Sequence, residues 1–125
     1  MSSTGPILVT GGNGQLATSL ANIGGDQIIR VGRPEFDFDK PETISAAIEK
    51  YRPEAVVNAA AWTAVDLAET ETAGAERANC SGPKALAEAC AKAGIPFIHV
   101  STDYVFSGDK GSPYTEEDPT SPETV

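Results

Sequence analysis

Five residues of β-type sequence, Pro6-Ile-Leu-Val-Thr10, run directly into Gly11-Gly-Asn-Gly14. Residues 15–23 follow with Leu16, Leu20 and Ile23 at helical spacing. A strand that turns through a glycine cluster into a helix commits the chain to few architectures. The helix has to pack back on the strand it left, so the next strand lies parallel to the first. Gly24-Gly25 stops the helix, and residues 27–31 supply that second strand.

The alternation continues. Residues 41–50 place Ile44, Ala47 and Ile48 on one helical face together with Tyr51; Pro41 suits the first turn, and Arg52-Pro53 ends the helix. Ala55-Val-Val-Asn-Ala-Ala60 has no polar alternation before Asn58, as expected of a strand covered on both faces. Residues 72–93 read as an Ala-rich helix ended by Gly94, kinked or broken at Pro83, and residues 95–101 as another buried-type strand. Phe36-Asp-Phe38 is expected to form one further, very short strand. The pattern predicts an α/β fold, a doubly wound parallel sheet of the Rossmann-like kind with helices on both faces. Ligands of such a sheet sit at the carboxyl ends of its strands. Four clusters of small or polar residues fall there, at 10–14, 32–33, 58–63 and 101–104.

The rest of the composition excludes more than it assigns. Eighteen acidic residues against nine basic ones leave a net charge of −9, and the basic residues are scattered. That argues against a nucleic-acid surface or an anionic membrane as partner. No apolar run is long enough to span a bilayer, and Met1-Ser-Ser-Thr-Gly5 lacks the basic start and apolar stretch of an export signal. With only Cys80 and Cys90, ten residues apart, a reducing cytoplasm is the expected compartment and buried thiols the expected state. Their spacing fits no metal site. His99 stands alone mid-strand and reads as a packed or hydrogen-bonded residue. Glu116, Glu117 and Asp118 read as a solvated loop within the irregular, acidic stretch 107–125. Asn79 has the chemistry to hydrogen-bond across to the sheet.

The glycine loop carries the chemistry. In Thr10-Gly-Gly-Asn-Gly-Gln-Leu-Ala17, Gly11 permits the tight turn, Gly14 lets backbone approach a pyrophosphate, and Ala17 is a small contact between helix and strand. The helix N-terminus offers free N–H groups and partial positive charge to phosphates. No Gly-Lys-Ser/Thr follows, so the loop is not a nucleoside-triphosphate P-loop. About 20 residues on, a strict NAD site would carry an acid for the ribose 2′-hydroxyl. Here the second strand ends Arg30-Val-Gly-Arg33-Pro34-Glu35, and Arg33 either faces a 2′-phosphate or is a solvated loop residue.

Three segments together resemble one family: Thr10-Gly-Gly-Asn-Gly-Gln-Leu-Ala17, Asn58-Ala-Ala-Ala-Trp-Thr-Ala-Val-Asp66 and Ser101-Thr-Asp-Tyr-Val-Phe106. The chain looks like the N-terminal part of an extended short-chain dehydrogenase/reductase, of the kind that makes the last hydride transfer to dTDP-L-rhamnose. The resemblance implies NADPH or NADH as cofactor, with Arg33 leaning towards NADP. It implies a dTDP-sugar as substrate, and it leaves open a homodimer of the full-length protein. By the same resemblance Gly11, Gly14, Gln15 and Leu16 line the pyrophosphate, and Arg33 falls near the adenosine ribose. Asp37 and Phe38 lie beside the adenine. Ala61, Trp62 and Thr63 run towards the nicotinamide, with Val100 a further contact, and Trp62 either touches substrate or shields the cofactor. Thr102 matches the hydroxyl member of the catalytic trio, and Asp103 adjoins it at the sugar.

Two departures stand out. Leu67 occupies a position where the family often has Lys. The family's catalytic Tyr-x-x-x-Lys has no match, because Tyr51, Tyr104 and Tyr114 are followed four residues on by Ala55, Gly108 and Asp118. In the family, Pro-Tyr-Thr-Glu-x-Asp-Pro-x-x-Pro leads into that catalytic helix, and residues 113–122 here match this lead-in. The expectation is therefore a cofactor-binding portion without its acid catalyst or its C-terminal substrate domain, binding dinucleotide at best. Two other functions fit the same fold: a non-catalytic dinucleotide-binding regulatory subunit, and a sugar-nucleotide epimerase or dehydratase.

Overall fold

A computed structural model describes residues 5–124. Residues 1–4, which were read for an export signal, and Val125 at the end of the acidic tail lie outside the described residues. Strand β1 (Ile7–Thr10) is flanked by β2 (Ile28–Val31) and β3 (Ala55–Asn58), and β4 (Phe97–His99) pairs with β3. All three pairings are parallel, in the order β2-β1-β3-β4. The intervening helices are α1 (Gln15–Gly24), α2 (Glu42–Tyr51), α3 (Val65–Ala68), α4 (Thr72–Glu76) and α5 (Gly82–Ala93).

The register explains the layering. Leu8 sits opposite Ile29 on one side and Val56 on the other, and Val56 sits opposite Phe97. Side chains alternate between faces along a strand, so this row shares one face. Against it pack Ile44 and Ala47 of α2 and Leu86 and Cys90 of α5, the positions that helical spacing brings to a single stripe. Burying Leu86 fully is worth roughly 2 kcal/mol. Val9 points to the opposite face and is fully buried, as is Ala17 of α1, which packs along β2. Helices therefore cover both faces and the doubly wound reading holds. No helix among the described residues is long and apolar enough to cross a membrane.

Two local expectations are corrected, one helix is added, and the break expected at Pro83 takes a definite form. Residues 36–38 form no strand: Phe36 N–H bonds back to Gly32 O at 3.0 Å, and Asp37 N–H donates to Thr43 Oγ1 at 2.9 Å. Their backbone groups are satisfied by turns, while the Phe36 ring enters the core. The short helix α3 went unread. The Ala-rich helix is interrupted by a π turn, Arg77–Ser81, directly before Pro83, which takes a first-turn position of α5 where its missing N–H costs nothing. A Cβ at Gly82 would collide with the Phe38 ring, so the glycine lets the 36–38 turn nest against the π turn. Cys80 lies in that turn and is exposed, whereas Cys90 is buried as expected, and burial pushes its thiol pKa up. The wider helical turn rotates Cys80 off the core face.

Beyond β4 the described residues form a single 3₁₀ turn, Asp103–Val105, and irregular chain. That chain is locally knotted. Phe106 stacks on Tyr114 at 4.3 Å, and the Tyr114 hydroxyl accepts from Gly108 and Lys110 N–H groups. Lys110 Nζ pairs with Asp118 at 2.6 Å, which holds the Asp118 carboxyl below its ordinary pKa.

Candidate functional site

One step further along the core face the apolar row gives way to a polar one. Thr10 and Asn58 are fully buried. The Thr10 hydroxyl donates to Asn58 Oδ1 at 2.5 Å and accepts from Ala59 and Ala60 N–H at 3.1 and 3.3 Å. Asn58 Nδ2 lies 3.0 Å from His99 Nδ1, and the His99 ring stacks with Phe97. The expectation of a hydrogen-bonded His99 is met. Together these bonds tie the exits of β1, β3 and β4 to one another, with no buried side-chain polar atom left unpaired among the described residues.

This tie fixes the glycine loop above it. Gly11 has φ +100°, and a Cβ there would stand 2.9 Å from Ala59 O. Only glycine combines that φ with so close a backbone crossing. Gly12 N–H bonds Val31 O at 3.0 Å, and a Cβ on Gly32 would stand 3.0 Å from Gly12 Cα, so the loops after β1 and β2 also meet backbone to backbone. Gly14 is the N-cap of α1 and no side chain caps the helix. The first-turn N–H groups of α1 are thereby available to an anion.

A cleft of about 570 Å³ opens over this loop. Its floor is Gly11, Gly12 and Asn13; one wall is Ala60, Ala61, Trp62, Thr63 and Ala64 after β3; the other is Arg33, Phe36, Asp37, Phe38 and Asp39 after β2. The walls part between β1 and β3, where the strand order reverses, the position at which open α/β sheets bind ligands. Trp62 is clamped by Asn79, whose Oδ1 accepts the Trp62 N–H at 2.8 Å and whose Nδ2 donates to Trp62 O at 3.1 Å. The indole N–H donates to Ala64 O at 2.9 Å. On the facing wall Arg33 reaches Asp37 at 3.4 Å and Asp39 at 3.3 Å, and Arg77 meets Asp39 at 2.6 Å. The hydrogen bond from Arg77 holds the Asp39 carboxyl below its ordinary range.

Of the residues singled out in the sequence, Gly11, Arg33, Asp37, Phe38, Ala61, Trp62 and Thr63 converge on this cleft. Gly14, Gln15 and Leu16 stand at the start of α1, beside the loop, outside its lining. Val100, Thr102 and Asp103 are exposed beyond β4 and do not line it. Val100 N–H bonds Asn58 O at 3.2 Å, and the Thr102 hydroxyl accepts the Tyr104 N–H at 3.2 Å. Three of the four strand-end clusters thus meet, and the fourth stands apart. Missed in the sequence were Asp39, Arg77 and the backbone meeting of Gly12 with Gly32. Asp39 was within reach of a closer reading of charge spacing after Arg33. Arg77 gave no signal, because its partner lies 38 residues away. No cluster of metal-ligating side chains exists among the described residues.

An all-parallel, doubly wound sheet with a glycine-floored cleft at its switch point defines a Rossmann-type α/β domain. The chain belongs to the family described as the RmlD substrate binding domain, whose model matches residues 5–125. A dTDP-4-dehydrorhamnose reductase from Burkholderia thailandensis is 50% identical over 120 residues, covering 93% of this chain and 40% of that protein. Among solved structures, a dTDP-4-dehydrorhamnose reductase from Clostridium acetobutylicum superposes with TM-score 0.89 at 34% identity, covering 95% of this chain and 44% of that one. The Bacillus anthracis reductase, solved in complex with NADP, gives TM-score 0.89 at 29% identity, covering 99% and 45%. The chain spans about 40% of the length of the curated relatives it matches.

Proposed function

We propose that the cleft holds NADPH or NADH and that the chain is the cofactor-binding portion of a reductase acting on the C4 carbonyl of dTDP-4-dehydro-L-rhamnose. The single observation that carries this reading is the glycine loop, a backbone cradle held so close to Ala59 at Gly11 that no Cβ fits, next to a helix N-terminus with no side-chain cap. Such a cradle suits a pyrophosphate, which needs N–H donors and close backbone approach. The complex of the Bacillus anthracis relative with NADP supports it.

In this reading Gly11, Gly14, Gln15 and Leu16 hold the pyrophosphate, Arg33 meets the ribose, and Asp37 and Phe38 flank the adenine. Ala61, Trp62 and Thr63, with Trp62 clamped by Asn79, run beside the nicotinamide half, with Val100 at its far side. The bound dinucleotide supplies a hydride. Thr102, exposed at the β4 exit, offers its hydroxyl to the carbonyl oxygen that gains negative charge, and Asp103 contacts the sugar. The proton for that oxygen has to come from a group of suitable pKa. No tyrosine in the 125 residues is followed by lysine at the fourth position, so that group is assigned outside them.

Titrating NADPH into this chain by calorimetry tests the reading. Saturable binding is expected, and Gly11→Val should weaken it by about a hundredfold or more, since strain and collision fall on the cradle itself. Equal binding by the variant would overturn the placement.

A further inference from the structure

The rim of the cleft at the β2 exit carries an arrangement of charges that the pyrophosphate cradle does not require. Arg33 Nη2 and Arg77 Nε approach the two oxygens of one carboxylate, Asp39, from opposite sides, at 3.3 and 2.6 Å. Two guanidiniums that converge on a single carboxylate form a seat for an oxyanion, and a phosphate offers the same acceptor geometry with more charge. The side chain filling that seat is free to leave. Asp37, the other partner of Arg33, is only 14% exposed and its Oδ1 accepts the Asp39 N–H at 2.9 Å, so it is tied to its own turn. Asp39 is 42% exposed and its carboxylate is held by the two arginines alone. The arginines in turn are 69% and 48% exposed, so both can follow a new anion.

We propose that Asp39 sets the cofactor discrimination of this cleft by occupying, as an internal competitor, the seat that Arg33 and Arg77 would give to the 2′-phosphate of NADP. The inference rests on the cleft holding the dinucleotide as read above, with the ribose towards Arg33. With Asp39 in place, a 2′-phosphate has to displace a bound carboxylate and then share the rim with it. A 2′-hydroxyl does not, and the carboxylate is there to accept a hydrogen bond from it. The chain should therefore bind NADH and NADPH with similar strength despite two arginines at the rim. Removing the carboxylate leaves Arg77 without its partner and Arg33 paired to Asp37 alone, so both can turn to a new anion at the rim.

The test measures dissociation constants of NADH and NADPH by calorimetry on the 125-residue chain and on two variants, with far-UV circular dichroism as the control for folding. Asp39→Asn should raise the preference for NADPH over NADH about tenfold, the effect of one charge-assisted contact regained. Arg77→Gln should lower NADPH affinity severalfold and leave NADH affinity unchanged. A preference unaltered in Asp39→Asn, with both nucleotides still bound, overturns the role of Asp39. If that variant does not fold, Arg77→Gln decides: equal weakening of both nucleotides, or of neither, overturns the shared seat. Failure of the unaltered chain to bind either nucleotide would instead strike down the cleft reading on which the proposal stands.

Discussion

The exits of β3 and β4 are neighbours in the sheet, yet they are built differently. Residues 59–64 leave β3 under control from three sides: the Thr10 hydroxyl holds Ala59 and Ala60, Asn79 clamps Trp62, and the Gly11 backbone crosses directly beneath. Residues 100–104 leave β4 with one long-range backbone bond, Val100 to Asn58, and otherwise satisfy themselves locally through the Thr102–Tyr104 turn. Ile98, preceding them, is 59% exposed on the edge strand. Groups that must hold a ligand in a fixed pose need partners that lock them. The β3 exit has such partners within the chain; the β4 exit, where we propose that Thr102 meets the carbonyl oxygen, is tied to Asn58 through His99 and Val100, but Thr102 itself bonds only within its own turn.

Truncating one polar side chain at each exit tests that contrast. Asn58→Ala should destabilise the chain by about 2 kcal/mol, because it empties a buried site and strips the Thr10 hydroxyl of its acceptor. It should also weaken NADPH binding, since the crossing over Gly11 loses its anchor. Chemical denaturation and calorimetry on one sample read both effects. Thr102→Ala removes a hydroxyl that bonds only within its own turn, so stability should change by less than about 0.5 kcal/mol. NADPH affinity of this chain should not change at all. Equal sensitivity of the two exits in either measurement would mean that the contrast in anchoring carries no functional weight.

Much of the β3 side was legible in the sequence, and for local reasons. The strand-to-glycine-to-helix transition is encoded in contiguous residues, and the unbroken apolar run ending at Asn58 could only be a covered strand with a polar end. The failures share a different cause. Phe36 and Phe38 have strand-like composition, but tertiary packing against α5 and the Gly82 cleft in its surface overrode it. Helix α3 spans four residues, too few for a 3.6-residue period to register. The exposure of Cys80 follows from a π turn that no spacing rule announces. Arg77 and Asp39 meet only because the fold brings α4's end to the β2 exit. Thr102 was singled out by resemblance alone, and its geometry here is that of a turn-capping hydroxyl.

We propose that these 125 residues hold the dinucleotide but do not carry the proton donor for reduction. The direct test follows NADPH absorbance after dTDP-4-dehydro-L-rhamnose is added to the chain already shown by calorimetry to have NADPH bound. Saturable binding is expected, with no consumption of NADPH above the rate without protein. Stoichiometric oxidation of NADPH with formation of dTDP-L-rhamnose would contradict it, as would the absence of NADPH binding.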